Sequence, residues 1–354
     1  MNKPANRATR LRDKAFLWTV LCWIYVCHLQ EILRFRRRMA YLPNAAFPRT
    51  LNEKFLWRKI FDHSPLIGRL TDKLEAKAYF AEKCPSLAQA ELIWTGEDSG
   101  DIPADALEGD VIVKSNCGSG QNVFSFAGEQ NHKQTRERVK RWIERRRPYG
   151  KSSLEWGYSQ VNRKVLIERL IRDEDGNPPI NVNIHASDGE VVIAHVWQHL
   201  TEGAARHAPD MTAVYDRDGQ RLTAVPLRKG VPNPTLPDDF RAPESMEMAY
   251  EYAKAVSRGI DFVRVDFLCT PNRVFAGELT FYSHAGYLRW NDPLLQEEVS
   301  RMWDLKKSWF LTTPQPGWRG KYAGALRRLI DEELVAAGFQ SVETSSRPIV
   351  ETGD

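Results

Sequence analysis

Apolar and polar positions recur with two different periods along this chain, and the changes of period mark its elements. Residues 15–27, AFLWTVLCWIYVC, form a continuous apolar run. In LNEKFLWRKIFD (51–62), Leu51, Phe55, Leu56 and Ile60 fall at helical spacing, with Asn52 placed to cap the start. TDKLEAKAYFAEKCP predicts a second helix that starts at Thr71 or Asp72 and stops before Pro85. From Asp110 the period shortens. VIVKSNCGSGQNVFSF reads as strand, glycine-rich loop and strand, residues 133–147 as a basic helix ending at Pro148, and KVLIERLI (164–171) as a strand. INVNIHASDGEVVIAHVWQHL predicts a hairpin turning at Asp188-Gly189, and VYDRDGQRLTAV another around Asp218-Gly219. MEMAYEYAKAVSRG (246–259) predicts a helix closed by Gly259. A last hairpin, DFVRVDFLCTPNRVFAGELTF, precedes a tail with a short helix beyond Pro314 and a polar end. Antiparallel strands interspersed with helices make this an α+β chain.

In the last hairpin Val263, Val265 and Phe267 share one strand face, opposite Arg264 and Asp266. On the second strand Phe275, Gly277 and Leu279 share a face opposite Glu278 and Thr280. A two-residue Pro271-Asn272 turn sets Asp266 across from Gly277, whereas a three-residue loop sets it across from Glu278. The longer loop is expected, because it brings the two carboxylates together.

At 354 residues the chain is long enough for two or three domains. A net charge of only +4 argues against a nucleic-acid partner, although the basic residues are clustered. The five cysteines are scattered and include no CxxC pair, which fits a reducing cytoplasm and suggests neither a zinc site nor a disulfide framework. Residues 1–50 read as a basic, partly apolar helical leader ending in the loop LPNAAFPRT. Its apolar run is short of the about 20 residues that span a bilayer. Two readings fit it: a helix packed on the body of the protein, or an interfacial helix over residues 15–38 held on anionic lipid by basic flanks.

Adjacent carboxylates repel unless a cation or proton lies between them. Asp266 and Glu278 beside the Thr280 hydroxyl are therefore a candidate Mg²⁺ site, with Arg264 placed to hold a phosphate oxygen. An exposed sheet edge with ordinary surface charges explains the same pattern. Lys114 followed by Gly118, Ser119 and Gly120 reads as a phosphate-wrapping loop or as a plain turn. Glu168 closes an apolar strand, either to accept from a ribose or as a surface partner of Arg169 or Arg172. Lys73 and Lys77 stand four apart on one helix face, a spacing that usually marks a solvated face. His195 and His199 fall in a strand with no third ligand nearby, which argues against zinc. No Walker, GxGxxG, GxSxG or kinase pattern is present.

Taken in order, Lys73 in TDKLEAK, Lys114 before GSG, Glu168 closing a strand, RVDF and GELTF resemble the ATP-grasp enzymes. LNEKFLWRKIFD, VIVKSNCGSGQNV, VLIERLI, VYDRDGQRL, FVRVDF and GELTFY are similar to blocks of the TupA-like branch, named for teichuronopeptide biosynthesis, over roughly residues 35–305. The resemblance implies an ATP-grasp fold over 111–310, two α+β subdomains clamping ATP. A helical region at 51–110 precedes it and a helix and tail at 311–354 follow. It also implies that Lys73 and Lys114 hold phosphates and that Glu168 contacts the sugar or base edge of the nucleotide. Asp266 and Glu278 would ligate Mg²⁺, and Arg264 would steady the transferred phosphate. The implied reaction phosphorylates a carboxylate, after which an amine displaces phosphate. In this branch the product would be an amide on a cell-envelope polymer, such as an amino acid joined to a uronic acid of a saccharide. Independently of the resemblance, the cysteine usage and the leader set the expected location as cytoplasmic, with peripheral contact on the inner face of the cytoplasmic membrane if the leader is interfacial. Three positions depart from the branch pattern. Asn183 stands where a further lysine is expected, Thr280 where an asparagine ligand is expected, and Ser283-His284-Ala285 where Pro-Gly-Ser is typical. The last points to an altered acceptor pocket in which His284 or Arg289 reads the substrate. The rival readings are an ATP-dependent phosphotransferase, a polysaccharide-modifying protein that travels with glycosyltransferases, and a non-catalytic nucleotide-binding or membrane-scaffold protein.

Overall fold

The computed structural model describes residues 7–127, 132–145, 149–150, 153–198, 211–228 and 230–336. Pro148, His199 and the polar end of the tail lie outside these residues.

The apolar leader becomes α1 (Arg7–Cys27), which bends by 94° into α2 (Leu29–Met39). Leu17, Val20 and Ile24 turn one face of α1 into the core, against α10 (Gly317–Ala336). The tail helix is thus a full 20 residues rather than the short one expected. Among the described residues no single helix is long and apolar enough to cross a membrane.

All eleven residues of α3 (Leu51–Phe61) are buried, the charged ones included. Its cap is Thr50 rather than Asn52. The Thr50 hydroxyl accepts from Glu53 N–H, and the Glu53 carboxylate accepts from Thr50 N–H. Asn52 is instead buried and donates to the carbonyls of Gly286 and Leu288. Lys54 donates to the carbonyls of Ser300 and Trp303, and Lys59 to that of Ala285. Arg58 donates to the carbonyls of Phe262 and Phe281 and pairs with Asp261 at 2.7 Å.

After the short α4 (Pro65–Leu70), α5 (Lys73–Lys83) starts on an Asp72 cap, which accepts from Leu74 N–H. Strand β1 (Ala88–Gln89) joins the large sheet described below. Strands β2 (Leu92–Gly96), β3 (Val111–Ser115), β4 (Asn122–Ser125) and β5 (Val165–Arg169) form a four-stranded antiparallel sheet in the order β2-β5-β3-β4. The basic helix α6 (His132–Ile143) packs Val139 onto Val111, Val113, Val165 and Ile167 of this sheet.

The second sheet has seven strands. They are β1, β6 (Ile180–Ser187), β7 (Glu190–Gln198), β8 (Met211–Tyr215), β9 (Arg221–Leu222), β12 (Val263–Cys269) and β13 (Val274–Thr280), in the order β1-β13-β12-β6-β7-β8-β9. The expected hairpins at Asp188-Gly189 and Asp218-Gly219 form β6–β7 and β8–β9. Strands β10 (Leu227–Arg228) and β11 (Val231–Pro232) pair separately. One face of the large sheet, with Val182, Ile184, Val265 and Phe267, is covered by α5 and α7 (Met246–Ser257). The opposite face carries Asn183, His185, Arg264 and Asp266. Helices α8 (Pro293–Met302), α9 (Trp309–Thr312) and α10 return over α3.

Removing Arg58 leaves two carbonyls and a carboxylate buried without their donor. Arg58→Ala is expected to cost about 3–5 kcal/mol in chemical denaturation.

Candidate active site

The two sheets and the start of α5 bracket a cleft of about 470 Å³. Lys73, Lys114, Gly118, Ser119, Gly120, Glu168, Asn183, Arg264, Asp266 and Glu278 all line it. Sequence positions spread over two hundred residues thus converge on one space.

The last hairpin reaches the expected juxtaposition by an unexpected route. Cys269 pairs with Val274, Leu268 with Phe275 and Phe267 with Ala276. Thr270 N–H donates to the Arg273 carbonyl at 2.9 Å, closing a tight turn over Pro271-Asn272. This is the register that sets Asp266 opposite Gly277, so the longer loop is not formed. Beyond Phe267 the register shifts, with Val265 opposite Leu279 and Arg264 opposite Thr280. A β-bulge at Gly277-Glu278 therefore swings Glu278 to the side of Asp266. The face assignment changes with it: Val274, Ala276 and Leu279 are buried together, and Phe275 and Gly277 do not share the face of Leu279. A Cβ on Gly277 would lie 2.6 Å from the Asp266 carbonyl oxygen, so only glycine allows this close approach. An isolated glycine inside a strand pattern was the available signal.

Arg264 holds Asp266 through two bonds, Nε to Oδ1 at 2.6 Å and Nη2 to Oδ2 at 2.5 Å. Nη2 also donates to Thr280 Oγ1 at 3.2 Å and lies 3.8 Å from Glu278 Oε1. Thr280 Oγ1 donates to Glu278 Oε1 at 3.3 Å, and Lys73 Nζ stands 3.3 Å from Glu278 Oε2. Burial pushes the Asp266 carboxyl up to about 6, because Arg264 only partly offsets it and Glu278 adds like charge. Burial acts on Glu278 in the same sense, but Lys73 and Arg264 outweigh it and hold that carboxyl below its usual range. Two carboxylates side by side, one of them with its proton affinity raised chiefly by burial, suit a hard divalent cation that takes its remaining ligands from water and phosphate. Among the described residues no group of three His, Cys, Asp or Glu side chains forms a self-sufficient metal cage.

Glu168 is neither a surface charge nor a partner of Arg169 or Arg172, which pair with Glu91 and Asp110. It is buried and accepts from Lys77 Nζ at 2.6 Å and Lys114 Nζ at 2.7 Å. Burial alone would raise its proton affinity, but the two ammonium groups reverse this and keep it ionised. Lys77 is thus not on a solvated face. It lines the cleft beside Lys73, one helical turn away, and also donates to the Ala90 carbonyl. Its spacing from Lys73 was the signal, and solvation was the wrong inference from it. Lys73 donates to the Gly118 carbonyl at 2.9 Å, tying α5 to the glycine-rich loop. Asn116, buried before that loop, donates to Asp72 and to the Asn162 carbonyl and accepts from Lys164 N–H. Sequence reasoning passed over this latch.

Asn183 stands in one row between Asp266 and His195. His185 and His195 are buried side by side, with ring centroids 5.3 Å apart. His185 Nε2 meets Ser283 Oγ at 3.0 Å, and His195 Nε2 accepts from the Trp290 indole at 3.1 Å. Burial drives the His195 imidazole down to about 3, so it is neutral. His284 and Arg289 do not line the cleft. They belong to the segment whose carbonyls are held by Asn52 and Lys59, where His284 and Ala285 take left-handed backbone angles, φ 51° and 54°.

Two sheets clamping a cleft with these residues define the ATP-grasp fold. The chain belongs to the TupA-like ATP-grasp family, whose profile matches residues 53–323. A search of curated protein sequences finds no match. Among solved structures, D-alanine–D-alanine ligase from Bacillus anthracis is 14% identical, with a TM-score of 0.37 over 76% of this chain and 69% of that one. The ATP-grasp ligase PsnB in complex with a minimal precursor is 14% identical, with a TM-score of 0.34 over 75% of this chain and 62% of that one. The N5-carboxyaminoimidazole ribonucleotide synthetase purK, as its ADP complex, is 12% identical, with a TM-score of 0.38 over 65% and 50%. These are distant likenesses, and the family match carries the assignment.

Gly277→Val is expected to heal or distort the bulge and turn Glu278 away from Asp266. The expected loss is about 1–3 kcal/mol of stability, together with loss of the thermal stabilisation by Mg²⁺ and ATP that the wild type should show.

Proposed function

We propose that this chain is an ATP- and Mg²⁺-dependent ligase that joins a carboxylate to an amine in cell-surface polysaccharide biosynthesis. The observation that supports this most is the meeting, across one cleft, of Asp266, Glu278 and Arg264 with Lys73, Lys114 and the Gly118–Gly120 loop. In this reading the loop N–H groups and the two lysines take phosphate oxygens. Glu168, oriented by Lys77 and Lys114, accepts from the sugar or base edge of the nucleotide. Asp266 and Glu278 hold the Mg²⁺, with Thr280 steadying Glu278. A cation bound there neutralises phosphate oxygens and fixes their positions. Arg264 supplies fixed positive charge where charge builds on the transferred phosphoryl group. A substrate carboxylate oxygen attacks the γ-phosphorus and ADP leaves. The amine then attacks the acyl carbon, phosphate leaves, and the amine loses its proton. Asn183 contributes a neutral amide where a cation would bind phosphate more strongly. We place the acceptor, a uronic acid of a saccharide, on the side of His284 and Arg289. The protein itself we place in the cytoplasm, with residues 15–38 in peripheral contact with the inner face of the membrane.

Product analysis with glucuronate, an α-amino acid, ATP and Mg²⁺ tests the reaction. Amide, ADP and phosphate are expected. A phosphorylated sugar with ADP favours a phosphotransferase, and absence of ATP turnover favours a nucleotide-binding protein without catalysis. Glu278→Gln should lower turnover on the order of a hundredfold. Because Asp266 must be ionised to hold the cation, Mg²⁺ affinity is full above its raised value and falls as the pH drops through about 6. The sign for stability without the cation is opposite. The native state holds a proton between the ordinary value of 3.8 and about 6, so this contribution is lost as the pH rises through that window. Denaturation profiles with and without Mg²⁺ and ATP should therefore diverge above pH about 6.

A further inference from the structure

The N-terminal helices carry a second surface that the cleft does not use. α1 is apolar on two sides. Leu17, Val20 and Ile24 face the core, while Leu11, Trp18 and Val26 are 62%, 67% and 80% exposed. On α2, Leu29 and Leu33 are each 52% exposed, beside Arg36 and Arg37. Beside Trp18, an apolar groove of about 380 Å³ runs between α1, the segment 42–49 and α10, with Leu42 and Phe47 in its wall.

The charges are as one-sided as the apolar surface. Between residues 7 and 50 the acidic residues are Asp13 and Glu31, and both are buried. Asp13 is held by Arg328 at 2.7 and 2.9 Å, and Glu31 by Arg34, Lys59 and Tyr287. On α10, Glu332 and Glu333 pair with Arg10 and Arg49. Arg12, Lys14, Arg36 and Arg37 are exposed and make no ion pair among the described residues. The leader thus presents hydrocarbon and positive charge to its surroundings and keeps its own negative charge inside.

We propose that this surface docks on an anionic phospholipid bilayer. α1 lies in the plane of the interface, its outer stripe enters the acyl boundary, the groove beside Trp18 takes a hydrocarbon chain, and the basic side chains sit at the level of the lipid phosphates. The 94° bend between α1 and α2 excludes a straight span of the pair. A second copy of the chain is the poorer occupant, because two such faces would bring like charges together. This inference deepens the peripheral placement proposed above and is independent of the ligase reading.

The test is sedimentation of the full chain with phosphatidylcholine vesicles, with or without phosphatidylglycerol. Wild type should pellet with the anionic vesicles, and less so as salt is added. Arg36→Gln with Arg37→Gln should weaken that binding roughly 30-fold, from about one neutralised charge's worth of attraction each. Trp18→Ser with Val26→Ser should weaken it while leaving the thermal unfolding midpoint unchanged, since both side chains face outward. Wild type that stays in the supernatant overturns the proposal, as does equal pelleting of wild type and both variants. Dimerisation in solution that Trp18→Ser with Val26→Ser abolishes, without lipid binding, also overturns it in favour of self-association. Vesicle binding that persists in a chain with no response to Mg²⁺ and ATP sinks the ligase reading alone.

Discussion

A guanidinium sealed from water must find its hydrogen bonds inside the protein, and Arg58 finds them at both ends of one hairpin. The Phe262 carbonyl precedes Val263–Cys269, and the Phe281 carbonyl follows Val274–Thr280. Asp261 balances the charge, and the Trp303 ring lies 4.1 Å from the guanidinium carbon while its N–H donates to Asp261. One side chain from α3 thereby fixes where the strands bearing Arg264, Asp266 and Glu278 begin and end. Asn52 and Lys59 do the same for the segment at 285–288. The site's geometry is thus set by a helix that contributes nothing to its surface.

Inside the cleft each acid is matched to a base, and for Glu278 and Glu168 that base comes from another element. Glu278 meets Lys73 from α5, Glu168 meets Lys77 from α5 and Lys114 from β3, and Asp266 meets Arg264 on its own strand. These pairs keep long, flexible cations in place before any ligand arrives, which reduces the ordering that binding has to impose. In the ligase reading, phosphate oxygens draw Lys73 away from Glu278. Glu278 then carries the negative charge that a divalent cation needs.

Much of this was legible along the chain. The Asp-Gly turns, the Asp72 cap and the alternation around Asp266 each follow from local chemistry. The bulge was not, because the two-residue period cannot say where a strand skips a residue. Only the contact between Gly277 and the Asp266 backbone decides that. The burial of α3 was equally hidden. Helical spacing marks Leu51, Phe55 and Ile60 as core, but Lys54, Arg58 and Lys59 go inside because distant carbonyls wait for them. Lys77 was missed for the same reason, since its partner Glu168 lies 91 residues away.

The packing of α1 on α10 also orders events in time. Arg328 leaves the ribosome 315 residues after Asp13, an interval of roughly 15–60 s at ordinary elongation rates. Throughout it α1 is apolar on both faces and lacks the partner that covers one of them. Its fold closes only when the last described helix emerges. A chain stalled or truncated before α10 therefore loses more than that helix, because it also uncovers α1.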